Sequence, residues 1–271
     1  VALTAKFALF GHEGYALSAS WVASSEQTTY PNGNLQLGTY AAPWRSALGA
    51  LSSIILTFDL GAAKAVGGVG LAGVNLGLSA TRRVELSANA GFSPLVADSG
   101  TSSAFNTSLP VLQGRNGTWR APWGRNLLYF PPAEVSARYG RITLTDAGNP
   151  DNYLAAAIPV VGQLWQPGIN FLGGSWSAAD ERMSEAGSGG LLRGHKLTFH
   201  RLTRAERSQV HSLARALGMT GRIMVVPEPT RAETWLGDAI YARFEDLIES
   251  TGVDNTGQWW TVQVVFREVD R

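Results

Sequence analysis

Two strand-like runs, far apart in the sequence, constrain this chain more than anything else in it. Ala137-Arg138-Tyr139-Gly140-Arg141-Ile142-Thr143-Leu144-Thr145-Asp146 alternates in side-chain character. With a period of two, Tyr139, Arg141, Thr143 and Thr145 share one face, and Ile142 and Leu144 take the other. Tyr, Ile and Thr suit a pleated, half-buried surface. The residues that follow, Ala147-Gly148-Asn149-Pro150-Asp151-Asn152, are turn formers. The natural partner lies well upstream, in the apolar run Ile54-Ile55-Leu56-Thr57-Phe58-Asp59-Leu60-Gly61. Pairing these two runs would close one sandwich by its first and last strands.

The composition agrees with a large β core. Hydrophobic residues make up 45% of the chain and charged residues 16%, with 31 Gly and one clear helix signal. Such a chain has enough apolar surface to order itself, and its many turns favour strands over helices. At 271 residues it allows one large or two ordinary domains. The net charge is +1, and residues 165–271 hold twelve Lys/Arg against thirteen Asp/Glu. Neither half has the basic surplus of a nucleic-acid binder, so no nucleic-acid contact is expected. Cysteine is absent, which excludes disulfides, thiol nucleophiles and thiolate metal sites. The first ten residues lack a basic start followed by a long apolar run and are not read as a signal peptide. No apolar stretch reaches the ~18 residues of a membrane span.

Along the chain, residues 1–20 are mixed and small, an arm or a first strand. Asn32-Gly33 fits a tight turn, since both residues accept positive φ. Ala65 to Leu76 is Gly-rich and reads as a tightly packed strand. Arg83-Val84-Glu85-Leu86-Ser87 alternates as a half-exposed strand. Loop residues then run to Asn126, and Pro131-Pro132 stops a short strand after Phe130. The order Phe58-Asp59-Leu60-Gly61, Val69-x-Leu71 with Asn75-Leu76, Val84-x-Leu86-Ser87 and Ala137-Arg138-Tyr139-x-Arg141-Ile142 resembles the discoidin-like, or galactose-binding-like, jelly-roll module. The resemblance covers roughly residues 20–165, and we assign 1–164 to this first domain. Val74 stands where many relatives place a His before the Asn-Leu, and there is no Cys pair tying the domain ends.

Residues 165–271 form the second expected domain. Thr203 with Glu206 is a capping box, Val210, Leu213, Ala214 and Leu217 form one apolar stripe, and Gly218 supplies a stop. This predicts a helix over 204–217. Strands are expected at Lys196–Leu202, Arg222–Val226, Ala239–Ile248 and Trp259–Val269, the last two joined by a turn near Asp254-Asn255. The fold class is thus mainly β: a jelly-roll sandwich plus a second small β-sandwich with one packed helix. Strand, helix, strand and long hairpin in this order resemble the tail-tube-like fold of long-tailed phages. Together the two resemblances imply a distal tail protein of a phage tail tip or baseplate. On that reading the chain forms a hexameric ring with copies of itself and joins the tail tube to tip proteins. It would be made in the bacterial host cytoplasm and end in the virion tail.

Chemistry is sparse. None of the four His forms a helical metal-ligand pair. Gly67-Gly68-Val69-Gly70 lacks the Lys-Ser/Thr of a phosphate loop, and close strand packing explains it better. Asp59, Glu85 and Asp146 sit in or beside strands, and a glycosidase would need two such carboxyls ~5–9 Å apart across a cleft. A structural role accounts for them, so no catalytic residue, metal or cofactor is expected. The aromatics are the stronger candidates. Trp44-Arg45, Trp119-Arg120 and Trp123 each join a flat apolar face to a guanidinium nearby, in segments read as loops. They suit either a host surface glycan or a domain or subunit contact, where Trp and Arg are also enriched. Trp259-Trp260 places one indole on each face of a strand, so at least one is expected to meet another domain or subunit. The alternative to the tail reading is therefore a carbohydrate-binding module.

Overall fold

The computed structural model describes residues 7–11, 13–77, 79–105, 125–170, 176–182, 191–218, 220–230, 239–246, 249–252 and 258–269. Its architecture is four stacked layers: a six-stranded sheet, a three-stranded sheet, an eight-stranded sheet and one helix.

The two distant runs do pair. The strand Val135–Thr145 lies antiparallel to Ile54–Val66, with Tyr139 opposite Asp59 and Leu144 opposite Ile54. Its other edge pairs with Thr81–Ser87. Ile142 and Leu144 are buried, while Arg141, Thr143 and Thr145 alternate with them on the outer face. The ladder slips between Ala137 and Tyr139. Gly61, at φ 77°, takes the bend there, and Asp59 accepts the Gly61 N–H at 2.8 Å. Asp59 thus ends the regular ladder, as its Asp-Leu-Gly setting suggested.

The three-stranded sheet has Gly68–Val74 at its centre, between Ile158–Gly162 and Arg125–Tyr129. Every residue of the central strand is buried, because both of its faces are covered. One face meets the six-stranded sheet through Val69, Leu71 and Val161 against Leu56, Phe58, Val84 and Ile142. The other meets the eight-stranded sheet through Ala72, Leu128 and Val160 against Phe10, Met224, Val226 and Tyr241. Here the glycines find their reason. A Cβ on Gly68 would lie 2.5 Å from the Phe10 ring, and one on Gly70 would press on Leu127 and Leu128 at 2.9 Å. The Gly-rich stretch is a seat for Phe10. Burying that ring contributes about 2–3 kcal/mol.

Phe10 arrives from the far end of the chain. The strand Ala8–Phe10, inside the segment read as an arm or first strand, runs between Leu164–Trp165 and Arg222–Val226. It is therefore a member of the sheet built by the last third of the sequence. That sheet continues through Ile240–Phe244, Trp259–Glu268, Leu191–Thr203 and Trp176–Arg182, with Glu249–Gly252 paired to Trp259–Glu268. The run expected to be one strand over 239–248 stops at Phe244. The turn expected near Asp254-Asn255 lies outside the described residues.

The helix Arg204–Leu217 has the expected bounds. Thr203 and Glu206 exchange side-chain and backbone hydrogen bonds, and Gly218 closes the end at φ 60°. Val210, Leu213, Ala214 and Leu217 pack on Phe199, Leu202, Ile223, Val262, Val264 and Phe266 of the eight-stranded sheet. So the helix covers one face of that sheet, and the three-stranded sheet covers part of the other. Both covers come from the same molecule. The ring expectation rested on apolar strands that only another copy could hide, and this internal layering removes that ground.

Candidate functional site

Several loops meet at one end of the jelly roll. The two-residue strand Trp44–Arg45 pairs with Ala155–Ala156. Alternation at this short ladder sends the two side chains opposite ways. Trp44 goes inward: it is fully buried among the sandwich core, and its indole N–H donates to the Ser25 carbonyl at 3.2 Å. A buried ring offers no face to a ligand, so the expectation of Trp44 as a stacking platform is corrected. Arg45 goes outward. Its guanidinium carbon lies 3.7 Å from the Tyr30 ring centroid and 4.8 Å from that of Tyr153. Its Nε is buried without a hydrogen-bond partner.

Backbone bonds hold this cluster. Arg45 N–H donates to the Tyr30 carbonyl at 3.1 Å, Gln27 N–H to the Arg45 carbonyl at 2.9 Å, and Tyr30 N–H to the Gln27 carbonyl at 2.9 Å. Tyr30 is thereby fixed against Arg45 by its own main chain. Tyr153 is fixed from the other side by the turn predicted after the long strand. Asn149 side-chain N–H donates to the Asp146 carboxylate at 3.0 Å and to the Asn75 carbonyl at 3.1 Å. Asp146 also accepts the Gly77 N–H at 2.7 Å, and Asn75 donates to Asp151 at 3.2 Å and to the Tyr153 carbonyl at 2.9 Å. Buried Ser46 accepts the Leu154 N–H at 2.9 Å. Three loops are laced together, and Gly49 N–H adds a bond to the Asn152 carbonyl at 2.8 Å. Leu48, 71% exposed, precedes that contact at the tip.

The result is a rigid rim with a guanidinium, two half-buried tyrosines, a half-buried carboxylate and an exposed leucine. Such a mix presents forked donors, acceptors and apolar surface together, as polyol recognition requires. Sequence reading found Arg45 but gave it the wrong aromatic partner. Tyr30 and Tyr153 were missed, although each stands beside a stretch already recognised as turn chemistry.

The carboxylates weighed for catalysis are held in structural contacts. Asp59 receives Arg138 in a two-point contact at 2.8 and 2.9 Å, which keeps its carboxyl below the usual range. Glu85, 2% exposed, receives Arg141 through Nη2 at 2.8 Å and Arg83 at 3.2 Å. Asp98 pairs with Arg83 and is likewise held low by that guanidinium. Asp146 belongs to the loop lacing. Of the remaining candidates, Trp119, Arg120 and Trp123 lie outside the described residues. Trp260 packs against the helix-side core with Arg207 3.9 Å above its ring. It meets its own helix, so the expectation that at least one of the two indoles meets another domain or subunit rests on Trp259. Trp259, on the opposite face by alternation, is half-buried.

No family model matches the chain, and no curated protein matches it. Solved structures do resemble it over little more than half of its length. The family 32 carbohydrate-binding module of C. perfringens NanJ, solved with galactose, matches at 17% identity and TM-score 0.40, over 56% of this chain and 98% of its own. A family 32 module from a Clostridium perfringens family 31 glycoside hydrolase matches at 19% identity and TM-score 0.42, over 57% and 96%. The family 32 module of AlyQ, solved with 4,5-unsaturated mannuronic acid, matches at 26% identity and TM-score 0.36, over 52% and 92%. At these levels the likeness adds no functional argument. Nothing in these comparisons supports the phage tail-tip reading.

Proposed function

We propose that this chain is a carbohydrate-binding protein, without catalytic activity of its own, whose ligand site is the laced loop end around Arg45. The observation that carries the reading is the placement of the Arg45 guanidinium between Tyr30 and Tyr153 with its Nε buried and unpartnered. Two rings brace the guanidinium of this half-buried residue, and its terminal N–H groups can donate to ligand hydroxyls or ring oxygens at the rim. The tyrosines bring apolar surface with a polar tip at little entropic cost. The loops need little reorganisation, since their backbone is already tied, and preorganisation favours binding.

A glycan array tests this with the whole chain and two variants, Arg45→Ala and Tyr153→Ala. The wild type is expected to select a set of neutral or weakly acidic saccharides. Each variant should lose that selection while keeping its melting temperature within a few degrees. No wild-type signal, or a signal unchanged in both variants, would remove the reading.

A further inference from the structure

Where the three-stranded sheet stops covering it, the eight-stranded sheet opens a second face. On that face Arg222 stands opposite Arg243 across one strand pair, and Arg243 stands opposite Arg267 across the next. Directly opposed residues share a face, with Cβ atoms about 5 Å apart, and like charges so placed destabilise a sheet. The row adjoins the seam: the neighbouring pair, Met224 opposite Tyr241, is already buried there. Arg222 donates to the Gly38 carbonyl of the jelly-roll half, and Leu37 beside Gly38 is 59% exposed. Arg267 is 3.2 Å from the Glu245 carboxylate. Arg243, between them, is exposed. Lys196, also exposed, pairs with Val265 two residues from Arg267, so it lies diagonal to the row on the same face.

We propose that this face binds an acidic polysaccharide, carboxylated or sulfated, through Arg243 and Lys196 with Arg267 beside them. Guanidinium forks match the oxygens of carboxylate and sulfate groups, and neighbouring strands set opposed side chains about 4.8 Å apart. Residues 165–271 carry no basic surplus, so the row is a local segregation of charge. A duplex nucleic acid would call for a broader basic surface. This site is separate from the loop end, and its test does not depend on that reading.

Immobilised polygalacturonate, dextran sulfate and neutral dextran serve as probes for the full chain, read by interferometry at low and physiological salt. The wild type should bind at least one acidic polymer, the carboxylated or the sulfated arm naming the source, and should ignore neutral dextran. Arg243→Glu and Lys196→Glu should each weaken binding by about tenfold or more without lowering the melting temperature, and Arg243→Lys should fall between. Tyr153→Ala should bind as the wild type does. Failure of both acidic polymers, equal binding by both glutamate variants, or equally tight binding of a short DNA duplex would overturn the proposal.

Discussion

Two sheet faces of this molecule treat arginine in opposite ways. On the outer six-stranded sheet, Arg138, Arg141 and Arg83 each meet a carboxylate, on Asp59, Glu85 and Asp98. On the open face of the eight-stranded sheet, arginine stands opposite arginine through two successive strand pairs. Favourable contact between neighbouring strands accounts for the first pattern: Arg141 stands opposite Glu85, and Arg138 and Arg83 reach Asp59 and Asp98 on the next strand. It does not account for the second. The difference teaches that the outer-sheet arginines each answer a carboxylate, while exposed Arg243 stands between two like charges, of which Arg267 also meets Glu245 and Arg222 the Gly38 carbonyl.

Mutations can break that comparison, and the largest effect should come from the outer sheet. Glu85→Gln leaves Arg141 and Arg83 without the carboxylate that both approach at a 2%-exposed position. Denaturant titration should show a loss of about 2–3 kcal/mol, the scale of lost charge-assisted hydrogen bonds. No loss would mean the pair is ornamental. Next comes the converse. Arg243→Gln relieves the opposition with Arg222 and Arg267, so unliganded protein should gain about 0.5 kcal/mol. A clear loss of stability there would mean the row is structural, and would dissolve the contrast.

Acid should separate the two faces next. Asp59 and Asp98 are held low by Arg138 and Arg83, so the folded state keeps these carboxylates ionised when the unfolded chain begins to take protons. Their contribution is complete above the ordinary carboxylate range near pH 4 and fades as pH falls through their folded values. Arg138→Gln should flatten the acid limb of the melting profile, whereas Arg243→Gln should leave its shape alone. The smallest effect belongs to neither sheet. His211 on the helix is depressed by desolvation and then by Arg207 and Arg215. The unfolded chain therefore takes its proton first, and stability should slip as pH falls below about 6.5. His211→Gln should remove that slope.

Much of the fold was legible, and the reasons are local. Ile54–Gly61 and Ala137–Asp146 advertise themselves by alternation, and Thr203, Glu206 and Gly218 mark both ends of the helix. Ala8–Phe10 does not advertise where it goes. Three residues carry no periodicity, and their partners, Leu164–Trp165 and Arg222–Val226, lie in another part of the chain. That one docking ties the first described residues to the sheet of the last third of the chain, and Phe10 beside Met224, Val226 and Tyr241 joins that sheet to the three-stranded one. The site was half legible. Arg45 stood out beside Trp44, yet a strand of two residues was too short to reveal that one points inward and the other outward. Tyr30 and Tyr153 become partners only through the bonds that clamp Gln27, Arg45 and Asn75 around them.

The claim at the centre is that the laced loop end recognises a saccharide. The most direct measurement is backbone amide shift mapping by NMR, titrating the full chain with the best saccharide from the array. Saturable shifts are expected at Gln27, Tyr30, Arg45, Asn152 and Tyr153, with the arginine row unmoved. Shifts confined to other surfaces, or none at millimolar saccharide, would contradict it.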